Sequence, residues 1–255
     1  RREKMILSNG IVYESDMQDA ILDGLEAVIN EVRMGRPLEI THVIEALDGI
    51  SRRIEAGEFD ALIEQIDTDN AQMYKQQAID LLSRSCLEYR ITAELREPLN
   101  ETGATEPPNA GTPVCFRRVP LGTIFHIAAG NADVLPAYSL IEGLLCGNVN
   151  ILKLPQADEG LTVMLLKMLT DALPETKGFI HVFDTPSSDI AAMLKMAKLC
   201  DAISVWGGDA AIASVRQMAP AGIPLIEWGH KLSFCYISPE AKGSWLAGHR
   251  SELKD

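Results

Sequence analysis

From residue 16 to residue 96 the apolar positions recur every three or four residues, as in Ile21, Leu22, Leu25, Val28, Ile29 and Val32, the spacing of one buried helix face. Ser15 or Asp16 is placed to cap the first helix. The same period continues in "EITHVIEALDGISRRIEAG", in "FDALIEQID" and in the long "AQMYKQQAIDLLSRSCLEYRITAELRE". Residues 97–113, "EPLNETGATEPPNAGTP", interrupt it with Pro, Gly, Thr and Asn, the chemistry of a loop or extended hairpin. From Val114 the rhythm changes to short β-branched runs alternating with helical ones. These are "GTIFHIAA", "VLPAYSLIEGLLCG", "VNILKL", "EGLTVMLLKMLTDAL", "GFIHVF", "SSDIAAMLKMAKLC", "DAISVW", "GDAAIASVRQMA", "GIPLIE" and "LSFCYIS". Strand and helix taking turns require right-handed crossovers and a mostly parallel sheet covered on both faces. The expected fold is therefore α/β: a helical segment over 1–96, a loop over 97–113, and a doubly wound, Rossmann-like domain over 114–255.

Composition narrows the setting. At 255 residues and 47% hydrophobic the chain can bury a sizeable core. No apolar run approaches the ~20 residues of a membrane span, and no cationic leader precedes a short apolar segment, so the cytoplasm is the expected compartment. The five cysteines (86, 115, 146, 200, 235) are odd in number, scattered and without a CxxC pair, which speaks against a disulfide framework and against zinc. Histidines 42, 126, 181, 230 and 249 follow no ligand spacing, and no metal is expected.

The net charge of −13 is uneven: residues 1–110 carry 22 acids against 11 bases, residues 111–255 carry 14 against 12. Nothing builds the basic stripe that binding to nucleic acid needs. The acidic excess falls on the outer helix faces, as solvated surface or as a partner surface. The near-neutral remainder is compatible with an anionic cofactor. The chain opens on Arg1 and stops in "HRSELKD", which reads as a fragment cut at both ends.

In open α/β sheets ligands settle at the carboxyl ends of strands, and four such places carry chemistry. Asn131, after "TIFHIAA", is either a turn or cap residue or a side-chain amide able to stabilise an oxyanion. Lys153 ends "VNILKL" as a snorkelling lysine or as a cation for a ribose or phosphate. Gly207 and Gly208 in "VWGGD" open a helix whose free amides suit an anion. Glu227 in "PLIEWGHK" is an ordinary strand-end carboxylate, or one whose pKa apolar surroundings raise into the range of a general base.

In this order, "PLGTIFHIAAGN", "LLCGNVNILKL", "VWGG" and "EWGHK" resemble the cofactor-binding half of the aldehyde dehydrogenase superfamily. The variant "GNADVLPAYSLIEGLLCGNVNILKLP" looks most like its acyl-CoA reductase branch, the LuxC-type fatty acid reductases that make aldehydes in bacterial luminescence. The resemblance implies that Asn131 helps bind a thioester oxyanion and that Glu227 acts as general base or water activator. It implies that Lys153 meets the adenosine ribose, that Gly207 and Gly208 lie under the pyrophosphate, and that Ala129 borders the cofactor. The implied reaction is reduction of a long-chain acyl-CoA or acyl-protein thioester to the aldehyde through a cysteine thioacyl intermediate. Loop 97–113 then becomes an oligomerisation arm, and the whole enzyme a homo-oligomer.

Departures from the family pattern matter. Gln156 stands where NAD-preferring members carry a glutamate, so the cofactor expected is NADP, as NADPH. His230 replaces a family glycine and Gly208 a common serine. The family nucleophile follows the glutamate by a few dozen residues, whereas 28 residues follow Glu227 here. Cys235 is too close, and Cys115 and Cys146 match no nucleophile position. No catalytic cysteine is assigned, the catalytic domain is expected to lie outside this chain, and the chain alone is expected to be inactive. A glutamyl-phosphate reductase-like enzyme, an ordinary aldehyde dehydrogenase, and a non-catalytic nucleotide-binding interaction module are the alternatives.

Overall fold

The structure, a computed structural model, describes residues 5–66, 71–95, 102–105, 114–130, 135–156, 158, 160–231, 234 and 236. Strands β1 (Met5–Ser8) and β2 (Ile11–Glu14) come first. Helices α1 (Gln18–Met34), α2 (Ile40–Glu55), α3 (Asp60–Ile66), α4 (Ala71–Leu82) and α5 (Arg84–Leu95) follow. Strands β3 (Thr102–Thr105) and β4 (Val114–Arg117) pair antiparallel with each other, outside the main sheet. Then strand and helix alternate: β5 (Thr123–Ile127), α6 (Leu135–Leu145), β6 (Val149–Lys153), α7 (Leu161–Ala172), β7 (Ile180–Phe183) and α8 (Ile190–Lys198). They end with β8 (Ala202–Trp206), α9 (Asp209–Met218) and β9 (Leu225–Trp228).

The main sheet has the order β2-β1-β7-β6-β5-β8-β9. Its pairs from β7 to β9 are parallel, and β1 joins β7 antiparallel. The chain steps from β5 through β6 to β7 in one direction, then returns to the other side of β5 for β8 and β9. Right-handed crossovers place α6 and α7 on one face and α8 and α9 on the other. Contacts agree: α6 packs on α7, α2 lies over both, and α1 lies against α8. Phe125, Ile151, Val182 and Ile203 are 0% exposed, so the central strands are dry, as a sheet covered on both faces requires. Buried side chains of α1, α2, α4 and α5 belong to the same apolar cluster as those of the sheet.

Several expectations are corrected. Residues 5–14 are not part of a helical segment. They form a hairpin turned by Asn9 and Gly10, both at positive φ (51° and 74°), and Leu7 pairs with Val182 in the sheet. Neither Ser15 nor Asp16 caps α1. Both lie in a 3-10 turn over Ser15–Met17, and Met17 holds the cap position without a side-chain bond. The long helix over 71–95 is two helices. Ser83 breaks it by accepting from the Cys86 amide at 3.4 Å while donating to the Asp80 carbonyl at 2.9 Å, which caps the second piece. The expected strand "LSFCYIS" lies largely outside the described residues.

Candidate functional site

Strands β5 and β8 lie side by side, Ile127 beside Val205, yet the chain leaves β5 for α6 on one face and leaves β8 for α9 on the other. That topological switch opens a crevice at the carboxyl ends of the two strands, where an open α/β sheet takes its ligand. Ala129 follows β5 and Gly207–Gly208 follows β8, so the switch brings both to the crevice. Lys153 ends β6, directly beside Ile127. Asn131 lies outside the described residues.

Gly208 caps α9 with an extended backbone and without a side-chain bond, which leaves the first-turn amides of the helix to an anion. Asp209 puts a carboxylate in that same turn. A side chain at either glycine would crowd this turn. A Cβ on Gly207 would lie 3.0 Å from the Cβ of Ala211, and one on Gly208 would lie 2.9 Å from Nε2 of His230. The Gly207 amide donates to the Trp228 carbonyl at 3.2 Å, tying the turn to β9.

Lys153 is 4% exposed, so it does not snorkel into open solvent. Burial pulls its ammonium below the ordinary lysine pKa, opposed by the carboxylate of Asp184 just past β7. Among the described residues no hydrogen bond or close ion pair holds this ammonium, and Asp184 acts on its charge at longer range. Gln156 is exposed on the turn that follows.

Of the two readings of Glu227, the raised pKa is the one that does not hold. Its side chain points to the α9 face, where Arg216 grips both carboxylate oxygens at 2.6 Å. That fork–fork hydrogen bond holds the carboxyl below the ordinary value and outweighs the small cost of burial. Arg216 is eleven residues away on a helix, and no sequence signal paired the two.

The other face of β8 and β9 carries a second arrangement that sequence reasoning missed. Trp206 and Trp228 are paired across the strands and stack with ring centroids 4.6 Å apart and planes 10° from parallel. Trp206 Nε1 donates to Ser139 Oγ at 3.2 Å. Ser139 is 2.9 Å from His126 Nδ1, and His126 Nε2 is 3.0 Å from Asn150 Oδ1. The Asn150 amide nitrogen donates to the carbonyls of Asn148 and Phe179, so its oxygen faces His126 and Nε2 carries the proton. Nδ1 then accepts from Ser139. The only hint was the repeated Trp-Gly after two strands, "VWGG" and "EWGH".

The described cysteines offer no nucleophile. Cys146 follows α6 and Cys200 precedes β8, both at the amino edge of the sheet and away from the crevice. Burial raises the Cys146 thiol and pushes Cys200 up to about 12, which keeps both protonated. Cys86 lies on α5. The Cys115 side chain and Cys235 lie outside what is described.

A family model described as acyl-CoA reductase (LuxC) matches residues 36–251. The chain is 26% identical over 127 residues to long-chain acyl-protein thioester reductase 2 of Photobacterium leiognathi, covering 48% of this chain and 27% of that protein. It is 27% identical over 125 residues to the long-chain acyl-protein thioester reductase of Photorhabdus luminescens, covering 48% and 26%. The matched stretch thus spans about a quarter of those relatives. Among solved structures, methylmalonate-semialdehyde dehydrogenase of Oceanimonas doudoroffii superposes with a TM-score of 0.64 at 18% identity, over 88% of this chain and 50% of the other. The NADP-dependent glyceraldehyde-3-phosphate dehydrogenase of Bacillus halodurans, complexed with NADP, gives 0.61 at 18%, over 88% and 52%. The fold is that of the aldehyde dehydrogenases.

Proposed function

This chain belongs to the acyl-CoA reductase (LuxC) family, and on that premise we propose that it is the cofactor-binding portion of an NADPH-dependent reductase of long-chain acyl thioesters, as acyl-CoA or acyl-protein. The observation that carries the reading is Lys153, a largely buried lysine with the Asp184 carboxylate acting on its charge, at the carboxyl end of the strand beside the switch point. It supports a site for a dinucleotide: the ammonium on the adenosine ribose, the α9 amides and the Gly207–Gly208 turn under the pyrophosphate, Ala129 along one edge. Gln156 offers no negative charge to repel a 2′-phosphate, and a protein of this fold is known with NADP bound.

In the reaction proposed, a cysteine thiolate attacks the thioester carbonyl, the carrier thiol leaves, and the thioacyl carbon is later reduced so that its C–S bond breaks and aldehyde departs. Bound NADPH supplies the hydride for that reduction. Asn131 donates its amide to the oxyanion at both stages. Glu227, held ionised by Arg216, serves as the base or water activator once that pairing opens. No cysteine of these 255 residues is assigned as the thiolate, so the chain alone binds cofactor and reduces no acyl-CoA.

Titration of the purified chain with NADPH and NADH, followed by nucleotide fluorescence, tests this. NADPH is expected to bind the more tightly, and Lys153→Met to weaken it about tenfold to a hundredfold, the worth of a charge-assisted hydrogen bond. Failure to bind either nucleotide would favour a non-catalytic interaction module, and acyl-CoA turnover by this chain would place the thiolate within it.

A further inference from the structure

On the α6 face the sheet carries a cavity of about 370 Å³ between α6 and strands β5, β8 and β9. Its walls are apolar: Leu95, Val119, Leu121, Ile124, Ile226 and Trp228. Val119 is 63% exposed, Leu121 53% and Trp228 41%, so a contiguous apolar surface faces outward here.

Most polar groups on the lining are engaged with other protein groups, and the Ser204 hydroxyl of β8 is a further polar group there. His126 and Ser139 bond to each other, and Asn148 donates to the Gly143 carbonyl while accepting from the Gly122 amide. At the rim Glu142 accepts from the Tyr138 hydroxyl, and Arg118 has an interaction of its own. The Cys146 thiol on the lining is protonated. A ligand here therefore meets hydrocarbon and few free donors or acceptors, which suits an alkyl chain and disfavours a nucleotide or sugar. Taking a methylene as roughly the size of a water, about 30 Å³, the volume holds on the order of ten of them.

Position gives the orientation. Helix α6 begins at Leu135, eight residues past the carboxyl end of β5 at Ile127. Trp228, at the upper wall, stacks on Trp206, which leads into the Gly207 turn. The lower wall, Leu121 and Ile124, belongs to the amino half of β5 and the segment before it.

We propose that this cavity receives the hydrocarbon chain of the acyl thioester, with the thioester end toward the crevice and the methyl end toward the amino edge of the sheet. The proposal rests on the reading of the chain as part of an acyl thioester reductase and adds where the acyl group lies.

The test uses the whole chain and dansyl-labelled undecanoic acid, with energy transfer from tryptophan to dansyl as the signal. Saturable binding is expected, displaced by dodecanoyl-CoA and by dodecanoate and unaffected by free CoA. Ile226→Phe and Cys146→Phe fill the cavity from partly exposed positions. Each is expected to weaken the probe about tenfold while changing NADPH affinity less than about twofold. Dodecanoyl-CoA should also protect Cys146 from a methanethiosulfonate reagent, read by peptide mass.

Intact NADPH binding without saturable probe binding would overturn the acyl cavity and assign the apolar face to a protein segment. Equal probe binding by the filled variants would overturn it as well. Probe binding without NADPH binding would sustain the cavity and remove the cofactor reading, so the two fail separately.

Discussion

His126 and His181 are fully buried imidazoles, and burial brings each down to about 4 from an ordinary 6.5. Both are neutral in the fold at neutral pH, each with one ring nitrogen donating and the other accepting. Because the folded pKa lies below the unfolded one, the unfolded chain takes up protons first as pH falls below 6.5. Stability should therefore drop between pH 6.5 and about 4, by up to about 3 kcal/mol for each histidine. Urea unfolding at pH 7 and pH 5 checks this, and His181→Gln should flatten the difference. Glu227 shows the opposite sign, since its carboxyl is held low by Arg216. Arg216→Leu is expected to return the Glu227 titration toward the ordinary glutamate range, read by NMR. The position of Glu227 at a strand's end was legible in "PLIEWG", but its pKa was not, because the deciding charge arrives from another element.

Elements show the same division. Periodicity and β-branched runs located the helical stretches from Gln18 to Leu95, though not the break at Ser83, and every strand from β5 to β9, since both signals are local. The hairpin β1–β2 was overlooked although "SNGI" carries the Asn-Gly signal of a tight turn, because two four-residue strands offer little period to read. Leu7 is 0% exposed there, between β2 and β7. Leu7→Ala should cost about 2–5 kcal/mol by leaving a cavity, measured as a shift in denaturant midpoint. Ser83, where one expected helix becomes two, makes a smaller claim. Ser83→Ala removes the cap of α5 and should cost about 1 kcal/mol without altering helix content by circular dichroism.

At the scale of the whole molecule, the doubly wound sheet gathers Ala129, Lys153, Gly207 and Gly208 at one edge although nearly eighty residues separate the first from the last. A ligand that bridges those strand ends binds the folded chain and not the unfolded one. NADPH at a hundred times its dissociation constant should then stabilise by about 2.7 kcal/mol and raise the melting midpoint by roughly 5–10 °C. Lys153→Met should lose most of that shift, which thermal scans with and without nucleotide would show. The sequence by itself determined the α/β alternation, the family likeness of four ordered motifs, and which strand ends carry Lys153, the glycine pair and Glu227. Period, chain order and residue type are all one-dimensional, so a reader of the chain has them. Only the tertiary structure decided that Lys153 is buried, that Arg216 turns Glu227 into an ion-paired carboxylate, and that the Trp206–Trp228 stack and an apolar cavity share the opposite face. Each of these depends on which side chains meet across strands and helices, and packing, not local pattern, selects those partners.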